Sequence, residues 1–166
     1  MPGSRGRSIR PVRDARGFDQ TRALIREYAA GLGFSLDFQD LEGELRDLSL
    51  QYSPPSGELL LATVDEAPAG CVGLRAFQGS ECEMKRLFVR PRYRGREIGR
   101  ALAKSIIEVA RRAGYRMMLL DTVPSMEAAI RLYRDLGFVE TRPYRYNPVP
   151  GAVFLRLDLG RGEGRT

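Results

Sequence analysis

The densest chemistry-bearing stretch of the chain is Arg92-Tyr93-Arg94-Gly95-Arg96-Glu97-Ile98-Gly99-Arg100, where four arginines and two glycines crowd one short segment. An apolar strand pattern precedes it and an amphipathic helix pattern follows. The first turn of a helix leaves backbone N–H groups without internal acceptors and carries the positive end of the helix dipole, so such a junction is an anion site. Gly95 and Gly99 let a ligand approach the backbone, and Arg92, Arg94, Arg96 and Arg100 add positive charge. Phosphate is the natural occupant, although the pattern alone does not separate a phosphate site from a plain strand-to-helix turn.

The residue types that are missing narrow the chemistry. The 166 residues include no histidine, which removes the Ser-His-Asp and Cys-His nucleophile systems and the commonest zinc catalysts. Proton transfer falls to Glu, Asp, Tyr, Lys, Cys or a water chain. Cys71 and Cys82 are too few for a four-cysteine zinc site, read as buried small hydrophobes, and lack a histidine to activate Cys82 as an acyl carrier. No metal is expected. The net charge of +6 favours an anionic partner, but no recognition helix, aromatic-basic strip or zinc signature points to nucleic acid.

The elements that must position this turn follow from periodicity. Ser8–Val12 reads as a first strand, and Phe18, Thr21, Leu24, Ile25, Tyr28 and Leu32 recur at helical spacing until Gly33. Phe38, Leu41, Leu45 and Leu48 suggest a second helix capped at Asp37. Three strands are expected next: Glu58–Val64, Ala69–Phe77 and Glu81–Val89, joined by turns into an antiparallel meander. Ile98, Ala101, Leu102, Ser105, Ile106, Val109, Ala110 and Ala113 mark one face of a long helix ended by Gly114. A strand at Tyr115–Asp121, a helix capped by Ser125 and ended by Gly137, and a last strand at Ala152–Leu159 complete the order. The fold class is α/β with a mixed sheet flanked by helices, a meander followed by β-α-β-α-β, in one domain over residues 1–166. Residues 1–7 and 160–166 read as flexible tails. No apolar run approaches a membrane span, and the basic N-terminus lacks the apolar segment of a secretory signal, so a cytoplasmic location away from membranes is expected.

The stretch Glu83–Leu102, together with Ala129–Phe138, resembles the GNAT superfamily of acyl-CoA-dependent N-acyltransferases. The resemblance implies that Arg94, Gly95, Arg96, Glu97, Ile98, Gly99 and Arg100 hold the diphosphate of acetyl-CoA, with Glu97 standing where the middle glycine of the family pattern is expected. It implies that Leu87, Phe88 and Val89 pair their main chain with the pantetheine arm. Tyr133 matches the tyrosine that protonates the departing sulfur; its other reading is a core tyrosine beside Ala129 and Leu136. Glu83 stands where several relatives carry a general base, or else forms an ion pair with Lys85 or Arg86, and Asp121 is the reserve base through a water. A backbone N–H between Glu83 and Val89 serves as the oxyanion donor, and Met126 replaces a frequent asparagine. Tyr144-Arg145-Tyr146-Asn147-Pro148, with Tyr28 or Tyr52, is a candidate lining for the acceptor pocket.

The resulting expectation is N-acetyl transfer from acetyl-CoA to a primary amine of a small molecule or protein, by direct attack in a ternary complex. A homodimer is compatible with it. The alternative is a non-catalytic acyl-CoA-binding regulator, favoured by Glu97 and Met126.

Overall fold

A computed structural model of the chain describes residues 6–160. Its seven strands are β1 (Arg7–Pro11), β2 (Glu58–Val64), β3 (Ala67–Ala76), β4 (Glu81–Val89), β5 (Met117–Thr122), β6 (Val139–Glu140) and β7 (Val153–Asp158). They form one sheet in the order β1-β2-β3-β4-β5-β7-β6. The continuous apolar run of β2 is buried nearly throughout, as a strand covered on both faces requires. Asp65 and Glu66, both at positive φ, make the tight turn into β3. β1 to β4 are antiparallel, β4 and β5 are parallel, and β7 runs antiparallel to both β5 and β6.

The helices divide between the two faces. On one face lie α1 (Ala15–Ala30), α2 (Leu41–Arg46) and α3 (Leu48–Gln51), which bury Leu24, Ile25, Leu45 and Leu48 against Leu59, Leu61 and Cys71. On the other lie α4 (Ile98–Arg112) and α5 (Glu127–Asp135). Here Ile98, Leu102, Ala103, Ile106, Ile107 and Ala110 meet Leu60, Val72, Cys82 and Met84. Each such Leu or Ile side chain contributes roughly 1.5–3 kcal/mol by leaving water. Gly114 and Gly137, at φ 93° and 104°, end α4 and α5 as their positions predict.

Three local expectations are corrected. The second helix is broken: Asp37–Gln39 is a short 3-10 turn, and Asp40, at φ 51°, caps the separate α2 by accepting from the Gly43 N–H. A Cβ on Gly43 would lie 2.2 Å from the Asp40 carboxylate, so the glycine makes room for the cap. Ser125 is not the cap of α5, which begins after Met126 without a side-chain cap. Arg7, assigned to a tail, opens β1; residues 1–5 and 161–166 of the expected tails lie outside the described residues. Among the described residues no helix is long and apolar enough to cross a membrane.

Candidate active site

The strand register creates the site. β4 and β5 are bridged only from Glu81↔Met117 to Glu83↔Leu119 and then part, so the edge of β4 from Met84 to Val89 that faces β5 has no strand partner. A bulge adds to this. The register of β3 on β4 slips between Cys71 and Gly73, and Arg86 sits at φ 62°. The bulge breaks the alternation of β4, so Lys85 and Arg86 both reach residues of the α1–α2 side.

On the α4–α5 side the parting opens a cleft of about 470 Å³. Leu87, Phe88, Val89, Arg94, Gly95, Glu97, Ile98, Gly99 and Arg100 all line it, facing Met126, Ala129 and Leu132 of the α5 region. Arg96 is the one residue of the predicted cofactor set outside the lining: its carbonyl accepts from Arg7 and its guanidinium lies over the Tyr93 ring. Arg94 donates from Nε to the Val89 carbonyl at 3.0 Å and lies over Phe88. Glu97 adopts a left-handed conformation, φ 63°, immediately before α4. Its carboxylate turns to Arg100 at 3.1 Å, which also binds Asp135 at 3.1 Å. A Cβ on Gly99 would make only ordinary contacts, 3.6 Å to Val89 and 3.9 Å to Leu132, so nothing in the protein itself demands a glycine there.

The α1–α2 side of the same opening holds a much smaller cavity, about 40 Å³, lined by Tyr28, Phe34, Phe38, Gln39, Lys85, Asp121, Tyr133 and Asn147 among others. Leu87 and Met126 line both spaces, so the two meet there. Tyr133 is 7% exposed and packs edge-on against Phe138, yet its hydroxyl makes no hydrogen bond among the described residues. It belongs to the core, as its packing reading had it, and it also lines the cavity. Burial, reinforced by Tyr28 and Asp121, pushes its phenol above the ordinary range, so it stays protonated. Asp121 accepts from Asn147 at 3.0 Å.

Glu83 is 1% exposed and does not line the cavity. Arg145 at 2.5 Å and the Tyr144 hydroxyl at 2.9 Å bind its two oxygens, with Arg75 at 3.8 Å. Neither Lys85 nor Arg86 is its partner, as the ion-pair reading had it: Arg86 grips Glu44 at 2.8 and 2.9 Å, where the Tyr52 hydroxyl also donates. Burial, and next the charge of Arg86, pulls Lys85 down to about 8. Of the aromatic-polar candidates, Tyr28 and Asn147 line the cavity, Tyr144 and Arg145 hold Glu83, and Tyr52 is packed beneath Gly73. Cys71 and Cys82 are both fully buried, and burial pushes each thiol up to about 12, so neither is a nucleophile. Glu44 escaped the sequence reading and Lys85 entered it only as a partner for Glu83, because the bulge and contacts more than 40 residues apart set their places.

Comparison with known proteins agrees with this geometry. Residues 21–138 match the model of the acetyltransferase (GNAT) family. The chain is 40% identical over 156 residues to an uncharacterized N-acetyltransferase of Schizosaccharomyces pombe, covering 93% of this chain and 96% of that one. An acetyltransferase of the GNAT family from Staphylococcus aureus superposes with a TM-score of 0.77 at 19% identity, covering 93% of this chain and 100% of the other. The structure of yncA from Salmonella typhimurium, solved with its cofactor acetyl-CoA, superposes with a TM-score of 0.66 at 22% identity, covering 93% and 95%. At these identities the structural likenesses speak for the fold.

Proposed function

Because the chain belongs to the acetyltransferase (GNAT) family, we propose that it transfers an acetyl group from acetyl-CoA to a primary amine by direct attack within a ternary complex. The observation that carries this reading is Tyr133, a protonated phenol with an unengaged hydroxyl on the wall of a small cavity that meets the long cleft at Leu87 and Met126. Residues 1–166 act as one domain, and the two buried cysteines suit a cytoplasmic setting.

The cleft suits the donor. The N–H groups opening α4 at Ile98, Gly99 and Arg100, with Arg94 and Arg100, hold the diphosphate; Gly99, unexplained by packing, lets it approach. The unpaired edge of β4 hydrogen-bonds the pantetheine arm through Leu87, Phe88 and Val89, and an N–H of that edge steadies the carbonyl oxygen. When bound, acetyl-CoA supplies the activated acyl carbon. Asp121, on the cavity wall, takes the proton from the acceptor's ammonium directly or through a water, and Tyr133 donates its proton to the departing sulfur. The base therefore moves from Glu83 to Asp121, since the oxygens of Glu83 are held by Arg145 and Tyr144; Glu83 becomes a positioning residue for that loop.

The regulator reading rests on Glu97, whose carboxylate is paired with Arg100 and whose N–H still opens the helix. Incubation with acetyl-CoA and a panel of primary amines separates the two. The transferase releases free thiol only when an amine is present. Cofactor-dependent rise in melting temperature without release from any amine would favour the regulator, and no rise at all would overturn both.

A further inference from the structure

The small cavity carries a buried charge that its surroundings do not balance. In and behind its walls lie four buried or half-buried cations, Arg75, Lys85, Arg86 and Arg145, against two buried carboxylates, Glu44 and Glu83, and the half-buried Asp121; of these only Lys85, Arg86 and Asp121 line the cavity. Each buried carboxylate already has its own arginine: Glu44 has Arg86, and Glu83 has Arg145 with Arg75 behind it. Lys85, 5% exposed, donates one hydrogen bond, from Nζ to the Gln39 Oε1 at 3.1 Å, and no carboxylate among the described residues lies within ion-pair distance. An ammonium has three donors, and a buried charge without a counter-charge is strongly disfavoured. Beside it, Arg145 Nε is the one buried side-chain nitrogen or oxygen left without a partner among the described residues.

The opposite wall carries the complementary sign. Glu83 and Leu119 are the last bridged pair of β4 and β5; Lys85 and Asp121 each lie two residues beyond, on the same face of the sheet. The cavity thus has a cation on the β4 wall and a carboxylate on the β5 wall, and both residues line it. Leu87 and Met126 mark its junction with the cofactor cleft, and Tyr133 lines the cavity beside them. The amine end of an acceptor therefore belongs near Asp121 and its anionic end near Lys85. At about 40 Å³ against about 470 Å³ for the cleft, the cavity suits a small molecule.

We infer that the acceptor is a small amino acid, or another small amine bearing a carboxylate, whose carboxylate is held by Lys85 while its amine faces Asp121. This rests on the acetyl-transfer reading and names its acceptor class.

The test compares small L-amino acids with their carboxamides as acceptors, by acetyl-CoA-dependent thiol release and by calorimetric binding of the same compounds to the full chain. Lys85→Met and Lys85→Gln accompany the wild type. Amino acids should exceed carboxamides in kcat/KM by about tenfold or more, and both variants should abolish that preference by raising the KM of the amino acids. Equal or better use of carboxamides, or equal losses for both acceptor types in the variants, would overturn the inference and leave acetyl transfer standing. If no acceptor releases thiol, the transfer reading falls; Lys85-dependent binding of amino acids would still uphold the carboxylate site, and its absence would remove that too. Melting curves of both variants should match or exceed the wild type, because neither change strips a partner from a carboxylate.

Discussion

Arg86 and Glu44, 42 residues apart in the chain, meet in a buried bidentate ion pair, Nε and Nη2 at 2.9 and 2.8 Å from the two carboxylate oxygens. The pair ties the bulge of β4, which lines the small cavity, to α2. Removing one member strands the other charge. Glu44→Gln should lower unfolding stability by about 3–5 kcal/mol, read from urea titrations, whereas Glu44→Leu combined with Arg86→Met should recover more than half of that loss. No recovery in the double variant would mean that the pair contributes net stability beyond the avoidance of a lone charge.

Lys85 gives stability a pH signature. Its native ammonium loses its proton near 8, the unfolded one near 10.5, so between those values the unfolded chain binds more protons and this group's contribution rises with pH. At about 1.4 kcal/mol per unit the full rise is about 3 kcal/mol. The Cys71 and Cys82 thiols act in the opposite sense above their ordinary value of 9.0, since the native state keeps those protons longer. Arg86 and Arg145 stay charged throughout this range. The expected observation is therefore a difference: the stability of wild type relative to Lys85→Met should climb from pH 7 to pH 10, whatever the shape of either curve alone. A flat difference would show that Lys85 is not held desolvated.

Tyr133→Phe isolates the phenol from the ring. With no hydrogen bond to lose, the variant should keep its melting temperature and its affinity for acetyl-CoA, while kcat falls by roughly 10²–10⁴-fold. A drop in melting temperature with unchanged kcat would assign the residue to packing alone.

Gly99 and Glu97 invert the usual relation between stability and binding. Gly99→Ala meets only ordinary contacts and adds helix propensity of up to about 1 kcal/mol, so it should melt higher yet bind acetyl-CoA at least about tenfold more weakly. Glu97→Gly removes a left-handed non-glycine residue and should stabilise by about 1 kcal/mol without loss of affinity. Calorimetric melting and titration check both. Unchanged affinity in Gly99→Ala would remove that residue from the cofactor contact.

Local signals were readable because their causes are local. The arginine-rich turn, the glycine stops at Gly114 and Gly137, and the apolar faces of α1 and α4 depend on neighbours within a few residues. The acceptor side depends on partners far along the chain. Glu83 meets Tyr144 and Arg145 from a segment 61 and 62 residues away, and nothing in β4 announces which arginine it will bind. Strict strand alternation puts Lys85 and Arg86 on opposite faces, and the bulge at Arg86 cancels it. Propensity ran Phe38 to Leu48 into one helix, whereas the side chain of Asp40 offers the backbone an alternative that breaks it.

The parting of β4 from β5 divides the chain's freedom to vary. The cofactor cleft draws its walls from residues 87–100 and 125–132, whereas the outer wall of the acceptor cavity comes from residues 28–39 and from Asn147. Under the proposed reading, exchanges in residues 29–39 and at Asn147 would retune the acceptor and leave the donor-side residues in place, whereas Tyr28 packs on Phe88 and belongs to both. A new specificity is thus reachable by grafting two short surface segments onto an unchanged strand pair.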